Sequence, residues 1–324
     1  MRAIRVHEPG PPSVMRFEEA ADPEPGPGEV LVEIHAVGVN PVDTYIRSGG
    51  YSKLPVYPYI PGNDAAGIVR GLGAGVTGWA VGDRVYLVGT GLGLGGYAEQ
   101  VAYSAKHLAR IPDAITFGQA AAVNVPYATA HRAVFERARV IGGETVLVHG
   151  GSGGVGIAAI ELAAAAGATV IATAGTERGL RLVEEHGARY AFDHGKAGYE
   201  EAIRKLAPDG LDVVIENLAN VNLDRDLELL ARFGRIVVVG NRGRIEINPR
   251  TILQKDAVVS GMALWNATDA ELASIHATLY AGLSKGVLNP VVGRELPLAE
   301  AAASHDAVLA PGAYGKIVLV PERR

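Results

Sequence analysis

The chain has no cysteine among its 324 residues. That excludes disulfides, thiolate nucleophiles and thiolate-bound metals, and it requires no oxidising compartment. Aromatic residues are scarce, at 6%, and no basic, aromatic-rich stripe suited to nucleic acid is present. An excess of positive charge is also missing: the net charge is −5, which argues against a general nucleic-acid or anionic-membrane surface. Long apolar runs are absent too. The first residues, MRAIRVHEPGPP, lack the apolar core of a signal peptide. The apolar region around residues 145–173 is interrupted by His149, Glu161 and several glycines, leaving runs too short to span a bilayer. A cytoplasmic protein with no membrane partner is expected. Hydrophobic content of 48% and charged content of 20% are ordinary for a globular protein, and the length allows two domains.

Glycine, by contrast, is abundant, with 42 residues. One group of them is informative. Residues 145–148 read as a short strand, followed by Gly151, Ser152, Gly153, Gly154, Val155 and Gly156 as a full G-x-G-x-x-G. A small-residue helix and a second β-branched run, 169–173, come next. At this βαβ spacing, Gly151 is expected to permit the tight turn. Gly153 would admit a pyrophosphate close to the backbone, and Gly156 would let the helix approach its strand. The unpaired N–H groups at the helix start suit phosphate. The second strand ends in Thr173, Ala174, Gly175 and Thr176, without the acid that usually holds a ribose 2′-hydroxyl. NADPH is therefore expected as cofactor. Glu177 lies just beyond, with Arg178 as a compensating cation, and an NAD enzyme that tolerates the missing acid is the alternative.

The pattern changes along the chain. Residues 1–120 are rich in glycine and proline, with short strand-like runs at 3–6, 29–34, 66–69 and 83–86 and little helical period. Further on, strands are expected at 145–149, 169–173, 190–193, 211–216, 235–239 and 257–262. Helices centre near 160, 180, 200 and 226. Six strands alternating with helices predict a doubly wound parallel sheet. Residues 270–285 and 299–309 read as helices, and 315–320 as a terminal strand able to rejoin the first domain's sheet. The division expected is 124–266 for a dinucleotide-binding Rossmann domain, with 1–123 and 267–324 forming the catalytic domain. The edge strand at 257–262 predicts pairing between copies.

The motifs GVNPVD (38–43), PGNDAAG (61–67), GDRV (82–85) and GGYAEQ (95–100), together with the glycine turn, resemble the medium-chain dehydrogenase/reductase superfamily. VNPVDTYIRSG (39–49), PYATAHRA (126–133), TAGTERG (173–179), LANVNL (218–223) and RGRIEINPR (242–250) are similar to its quinone oxidoreductase, zeta-crystallin-like branch. The resemblance implies a GroES-like, mainly antiparallel β domain beside the Rossmann domain. It also implies a homodimer or homotetramer. Zinc-dependent members use Cys, His and Cys as catalytic ligands; the matching positions here hold Asn40, Asn63 and Val125, and Asn63-Asp64 replaces a His-Glu pair. Between GDRV and GGYAEQ only residues 86–94 stand where a four-cysteine lobe would lie. No metal is expected.

Without a Lewis acid, alcohol oxidation is disfavoured. Hydride transfer to an electron-poor acceptor needs orientation more than acid–base groups. A quinone fits best; an activated alkene such as an enone is the alternative. By resemblance, Asn40, Tyr45 and Thr129 line the nicotinamide end, with Tyr51 at the mouth. Tyr45 is either an oxyanion donor or a packing residue, and Asn40 either orients the bound groups or only forms a turn. The same resemblance places Ser152 to Val155 at the pyrophosphate, and Gly175 with His194 near the adenosine. Asn222, Val239, Gly240, Asn241, Arg242, Met262, Ala263 and Leu264 would follow along the cofactor. RNA binding, as in crystallin-like relatives, is the reading of another class.

Overall fold

The computed structural model describes residues 1–89 and 95–322. The larger part of the short segment expected in place of a metal-binding lobe, residues 90–94, therefore lies outside the described residues. β1 (Arg2–Val6) and β2 (Met15–Glu19) form an antiparallel ribbon. β3 (Glu29–Val39), α1 (Pro41–Arg47), β4 (Asp64–Leu72) and β5 (Arg84–Leu87) follow. Next come β6 (Gln100–Ser104), β7 (Leu108–Arg110) and α2 (Phe117–Ala120).

α3 (Asn124–His131) then runs into a π-helical turn, Arg132–Arg137. Alternation begins with β8 (Thr145–Val148), α4 (Gly154–Ala165), β9 (Thr169–Ala174), α5 (Glu177–Glu185) and β10 (Tyr190–Asp193). It continues through α6 (Tyr199–Leu206), β11 (Leu211–Glu216), α7 (Ala219–Leu229), β12 (Leu230–Val238), α8 (Pro249–Lys255) and β13 (Val258–Gly261). α9 (Asp269–Ser284), β14 (Val292–Pro297), α10 (Ala301–Ala307) and β15 (Lys316–Val320) complete the chain.

The six parallel strands lie in the order β10-β9-β8-β11-β12-β13. The order reverses direction between β8 and β11, which opens a crevice at the carboxyl ends of those two strands. The buried side chains of the sheet are Val, Leu, Ile and Ala apart from Thr173 and Glu216, because helices cover both faces of a parallel sheet. Each fully buried aliphatic side chain there, such as Leu147, Ile171 or Ile215, contributes about 1.5–3 kcal/mol. α4 is made of Gly, Ala and small aliphatics and is buried over most of its length. It fits closely between the sheet and α3.

The other sheet has the order β14-β15-β3-β4-β5-β7, with β6 also on β3. Only the β14–β15 pair is parallel; the rest are antiparallel. The terminal strand does rejoin the first sheet, through Ile317–Leu319 against Val37–Val39. Several elements lie where the sequence pattern gave none: α3, α8, β2, β6, β7 and β14. α3 is buried on nearly every side, so it has no polar face and no helical period to read. Among the described residues, no helix is long and apolar enough to cross a membrane.

Candidate active site

The glycine turn links β8 to α4 at the crevice. Its left-handed residue is Gly150, with φ +62°. Gly151 was expected to make that turn; instead it is a packing position. A Cβ there would lie 2.9 Å from Val183 Cγ1 and 3.1 Å from Ala172 Cβ. Gly156 lets α4 meet the turn, since its Cβ would fall 2.3 Å from the Gly150 carbonyl oxygen. Gly153 is the open position, with nothing nearer than 3.6 Å to such an atom. A bare backbone with room beside it at the start of a twelve-residue helix fits a dinucleotide pyrophosphate.

The loop before β15 crosses this turn. The Gly315 N–H donates to the Ser152 carbonyl at 2.8 Å, and the Ser152 hydroxyl donates to the Ala313 carbonyl at 2.7 Å. Arg178 stacks on the neighbouring Tyr314, 3.6 Å from the ring centroid. At the end of β9, Gly175 and His194 meet: a Cβ on Gly175 would lie 2.9 Å from His194 Nε2. Thr176 caps α5 by accepting the Gly179 N–H, and Glu177 is exposed and paired with Arg181 at 2.8 Å. Val155 packs on the core below.

Further along the crevice, Val239 and Gly240 donate to the Glu216 carbonyl. A Cβ on Gly240 would lie 2.2 Å from the Asn217 oxygen. Asn241 is exposed and turned to the Gly243 carbonyl, and the Arg242 N–H donates to Asn220 Oδ1 at 2.8 Å. The Arg242 guanidinium is exposed, with one long contact to the Leu309 carbonyl. Met262 and Leu264 are buried; the Ala263 carbonyl between them accepts from Arg132 Nη1 at 2.7 Å.

At the joint between the domains, the residues standing where zinc ligands would be form a hydrogen-bonded charge network. The Asn40 amide nitrogen donates to Asp64 Oδ2 at 2.9 Å, and Asn63 donates to Asp43 Oδ1 at 2.7 Å. Asp43 also accepts the Asn40 backbone N–H at 2.9 Å, and Asp64 Oδ1 accepts the Val125 N–H at 2.8 Å. At the centre is the ammonium of Lys316, bonded to Asn40 Oδ1 and, at 2.7 Å, to Asp64 Oδ2. Burial and the nearby Asp64 charge push the Asp43 carboxyl up to about 6, against bonds from Asn63 and Asn40. Two amides and a backbone nitrogen offer none of the soft donors that catalytic zinc prefers.

Thr129 lies one turn along α3 from Val125 and is buried. Tyr45 lies on α1, half-buried, and its hydroxyl has no hydrogen-bond partner among the described residues. Tyr51 packs edge-on against Trp265, 5.1 Å between centroids, and burial lifts its hydroxyl to about 12.

Comparison with known proteins accords with this geometry. Residues 26–113 match the alcohol dehydrogenase GroES-like domain and residues 154–277 the zinc-binding dehydrogenase family. The quinone oxidoreductase of Rattus norvegicus is 46% identical over 99% of this chain and 98% of its own. That of Homo sapiens is 44% identical with the same coverage. The chain belongs to the quinone oxidoreductase family of the medium-chain dehydrogenases/reductases. Among solved structures, Escherichia coli quinone oxidoreductase complexed with NADPH aligns with a TM-score of 0.88 at 30% identity, covering 99% of this chain and 100% of that one. An NAD-dependent alcohol dehydrogenase aligns with a TM-score of 0.90 at 31% identity, covering 99% of each chain. The fold thus serves both activities, and the site residues must separate them. The cradle and these relatives together establish a nicotinamide nucleotide as the cofactor of this oxidoreductase.

Beneath the cofactor crevice of this quinone oxidoreductase lies a second buried cluster, which the sequence did not reveal. His149, Glu216 and Asp226 bring their ligand-type atoms within 4.8 Å of one another. His149 Nε2 donates to Asp226 Oδ1 at 2.8 Å, while its Nδ1 meets the Thr173 hydroxyl at 3.1 Å. Glu216 Oε1 accepts from the Leu218 N–H and, at 3.3 Å, from Asn222. That leaves Glu216 Oε2 and Asp226 Oδ2 as buried oxygens without donors. A proton shared between the two carboxyls would satisfy both. Burial pushes both carboxyls up, Glu216 to about 8, and holds His149 neutral by pushing it down. The cluster therefore anchors Leu218 and Asn222 beside the crevice, with one buried negative charge across the carboxyl pair rather than two. Asn222, expected at the cofactor, is tied to this network. Only the spacing of His149 two residues before the glycine motif could have hinted at it.

A carboxyl whose folded value is raised contributes stability that is complete below its unfolded value and lost as pH rises through the folded one. Denaturant stability should therefore fall by on the order of 2 kcal/mol between pH 6 and pH 9. In Glu216→Gln the amide can keep the donor bond to Asp226 without titrating, so most of that decline should vanish. Urea midpoints of both proteins across this range test it, and equal slopes would show that Glu216 carries no such proton.

Proposed function

We propose that this chain is a zinc-independent NADPH:quinone reductase. The observation that carries the reading is the set of amides, carboxylates and one ammonium standing where zinc-dependent relatives hold their metal. When bound, the cofactor supplies a hydride. We place the cofactor on residues 124–266 and the acceptor on 1–123 with 267–324. Gly153 to Gly156 would face the pyrophosphate. Gly175, His194 and Arg178 would take the adenosine end, with Arg178 or Arg242 within reach of a 2′-phosphate. Three features support NADPH over NADH: no acid at Ala174, Arg178 on the crevice side, and Glu177 occupied by Arg181.

At the other end, Asn40, Tyr45 and Thr129 orient the acceptor, with Tyr51 and Trp265 forming one wall. Reduction of a quinone leaves an aromatic oxyanion that is stabilised by its own ring. Tyr45, with a free hydroxyl, stabilises that charge by hydrogen bonding, and water can deliver the proton. We further infer that two copies pair through β13, an edge strand whose Val258 is exposed.

NADPH and NADH titrated by nicotinamide fluorescence, followed by a panel of quinones, enones and alkenals, test the reading. Tighter NADPH binding and the highest kcat/KM on quinones are expected; equal cofactor affinities or turnover of enones alone would refute the corresponding part. Tyr45→Phe should lower quinone turnover by about 10–100-fold, the low end for one lost polarising bond, and lower enone turnover further. Unchanged rates with both acceptors would make Tyr45 a packing residue. Light scattering at micromolar concentration should give a dimer or a multiple of it, whereas a monomer would remove the role given to β13.

A further inference from the structure

Lys316 is the only charge in the apolar strand KIVLV, and it is 4% exposed. Its partners define the orientation of Asn40. An amide has one acceptor oxygen and two N–H donors. The Asn40 oxygen accepts from Lys316, and one of its N–H groups goes to Asp64 at 2.9 Å. A flipped amide would set N–H against ammonium and oxygen against carboxylate, so the flip is forbidden. The second N–H of Asn40 has no acceptor among the described residues.

The position of this lock connects it to the site. A Cβ on Gly38 of β3 would lie 2.8 Å from Lys316 Cε, and one on Gly154, the first residue of α4, 3.9 Å from Lys316 Cδ. Asp64 in turn holds the Val125 N–H at the start of α3, one turn before Thr129. The ammonium is thus enclosed by both domains, beside the helix that would face the pyrophosphate.

We propose that Lys316 is a positioning residue of the acceptor site: with Asp64 it locks the Asn40 amide so that the remaining N–H meets the oxygen of the bound acceptor. Zinc-dependent relatives polarise a substrate oxygen with the metal itself. Here a neutral donor does so, and a buried charge pair fixes its direction. As the acceptor gains its electron pair, negative charge gathers on that oxygen and the N–H bond strengthens; water supplies the proton. The turnover part of this role rests on the proposed quinone reduction, whereas the recognition of an anionic oxygen does not.

The test uses Lys316→Met and the neutral pair Lys316→Met/Asp64→Asn, because the single variant leaves Asp64 buried and charged and threatens folding. Thermal midpoint, affinity for 4-nitrophenolate by absorbance in the absence of reduced cofactor, and quinone kinetics are measured on each. The double variant should recover the wild-type midpoint yet bind nitrophenolate about tenfold more weakly. Its kcat should fall about 10–100-fold, with the Kd for NADPH within about threefold. If neither Met variant folds, Lys316→Gln, whose amide can still donate to Asp64, is read in the same way. Wild-type phenolate affinity and turnover in the folded variant would reduce Lys316 to a counter-charge and overturn the proposal, as would a wild type that binds no nitrophenolate. A wild type that binds it in a Lys316-dependent way but reduces no quinone would instead overturn the proposed function and leave the positioning role standing.

Discussion

The hydrogen bond from Gly315 to Ser152 joins the two halves of this protein at the glycine turn. It brings the last strand of the mixed sheet against the dinucleotide turn, with Gly153 and Gly315 paired as a parallel bridge. Everything around it depends on that contact. Tyr314 reaches Arg178, Ala313 holds the Ser152 hydroxyl, and Lys316, the next residue, enters the joint under α4. The chain must be bare at these positions. A side chain at Gly315 would meet the Val291 carbonyl at 2.5 Å, and one at Gly156 would meet the turn itself. Backbone proximity here is a condition for the crevice, not a by-product of it.

The dinucleotide half was legible from residues 145 onward because its signals are local. β-branched runs of buried type lie at regular spacing, with glycine and proline marking the ends, and the strands fall within a residue or two of expectation except where β12 begins early, at Leu230. Its first residues continue directly from α7 and carry Phe233 at φ +67°, an irregularity that no alternation announces. The GroES-like half was less legible. Its strands range from three residues in β7 to eleven in β3 and are bulged and partly exposed, and β3 shifts register twice against β4. The order of glycine and proline motifs, rather than any periodicity, identified it.

The site divided along the same line. Gly156, Gly175 and Thr129 could be named because each belongs to a contiguous motif, and His194 by resemblance alone. Lys316 could not, although it is the centre of the charge network at the joint, because its partners Asn40 and Asp64 are more than 250 positions away. His149, Glu216 and Asp226 were missed for the same reason. Each looks unremarkable in its own segment; a charge in an apolar strand end is a signal only once its partner is visible. The misreading of Gly151 has a different origin. A left-handed residue and a residue with no room for Cβ both demand glycine, and sequence does not distinguish Gly150, which has the first property, from Gly151, which has the second.

The charge balance at the joint bears directly on what can be reduced. Asp43 and Asp64 carry two negative charges at neutral pH when Asp43 is ionised, against the single ammonium of Lys316. Two of the three ammonium protons are already committed, to Asn40 and Asp64. Such a cluster has no surplus positive charge to stabilise an alkoxide, so it gives little help in deprotonating an alcohol. In the proposed reading its useful output is a directed N–H from Asn40, joined by the Tyr45 hydroxyl. Donors of that strength suffice when the acceptor stabilises most of its own negative charge, as a quinone does through its aromatic product. An unactivated ketone would place the full charge on one oxygen and would need a stronger electrophile than this joint provides. A preference for electron-poor acceptors would therefore follow from replacing a divalent ion with a salt-bridged lysine, on a fold that also serves an alcohol dehydrogenase.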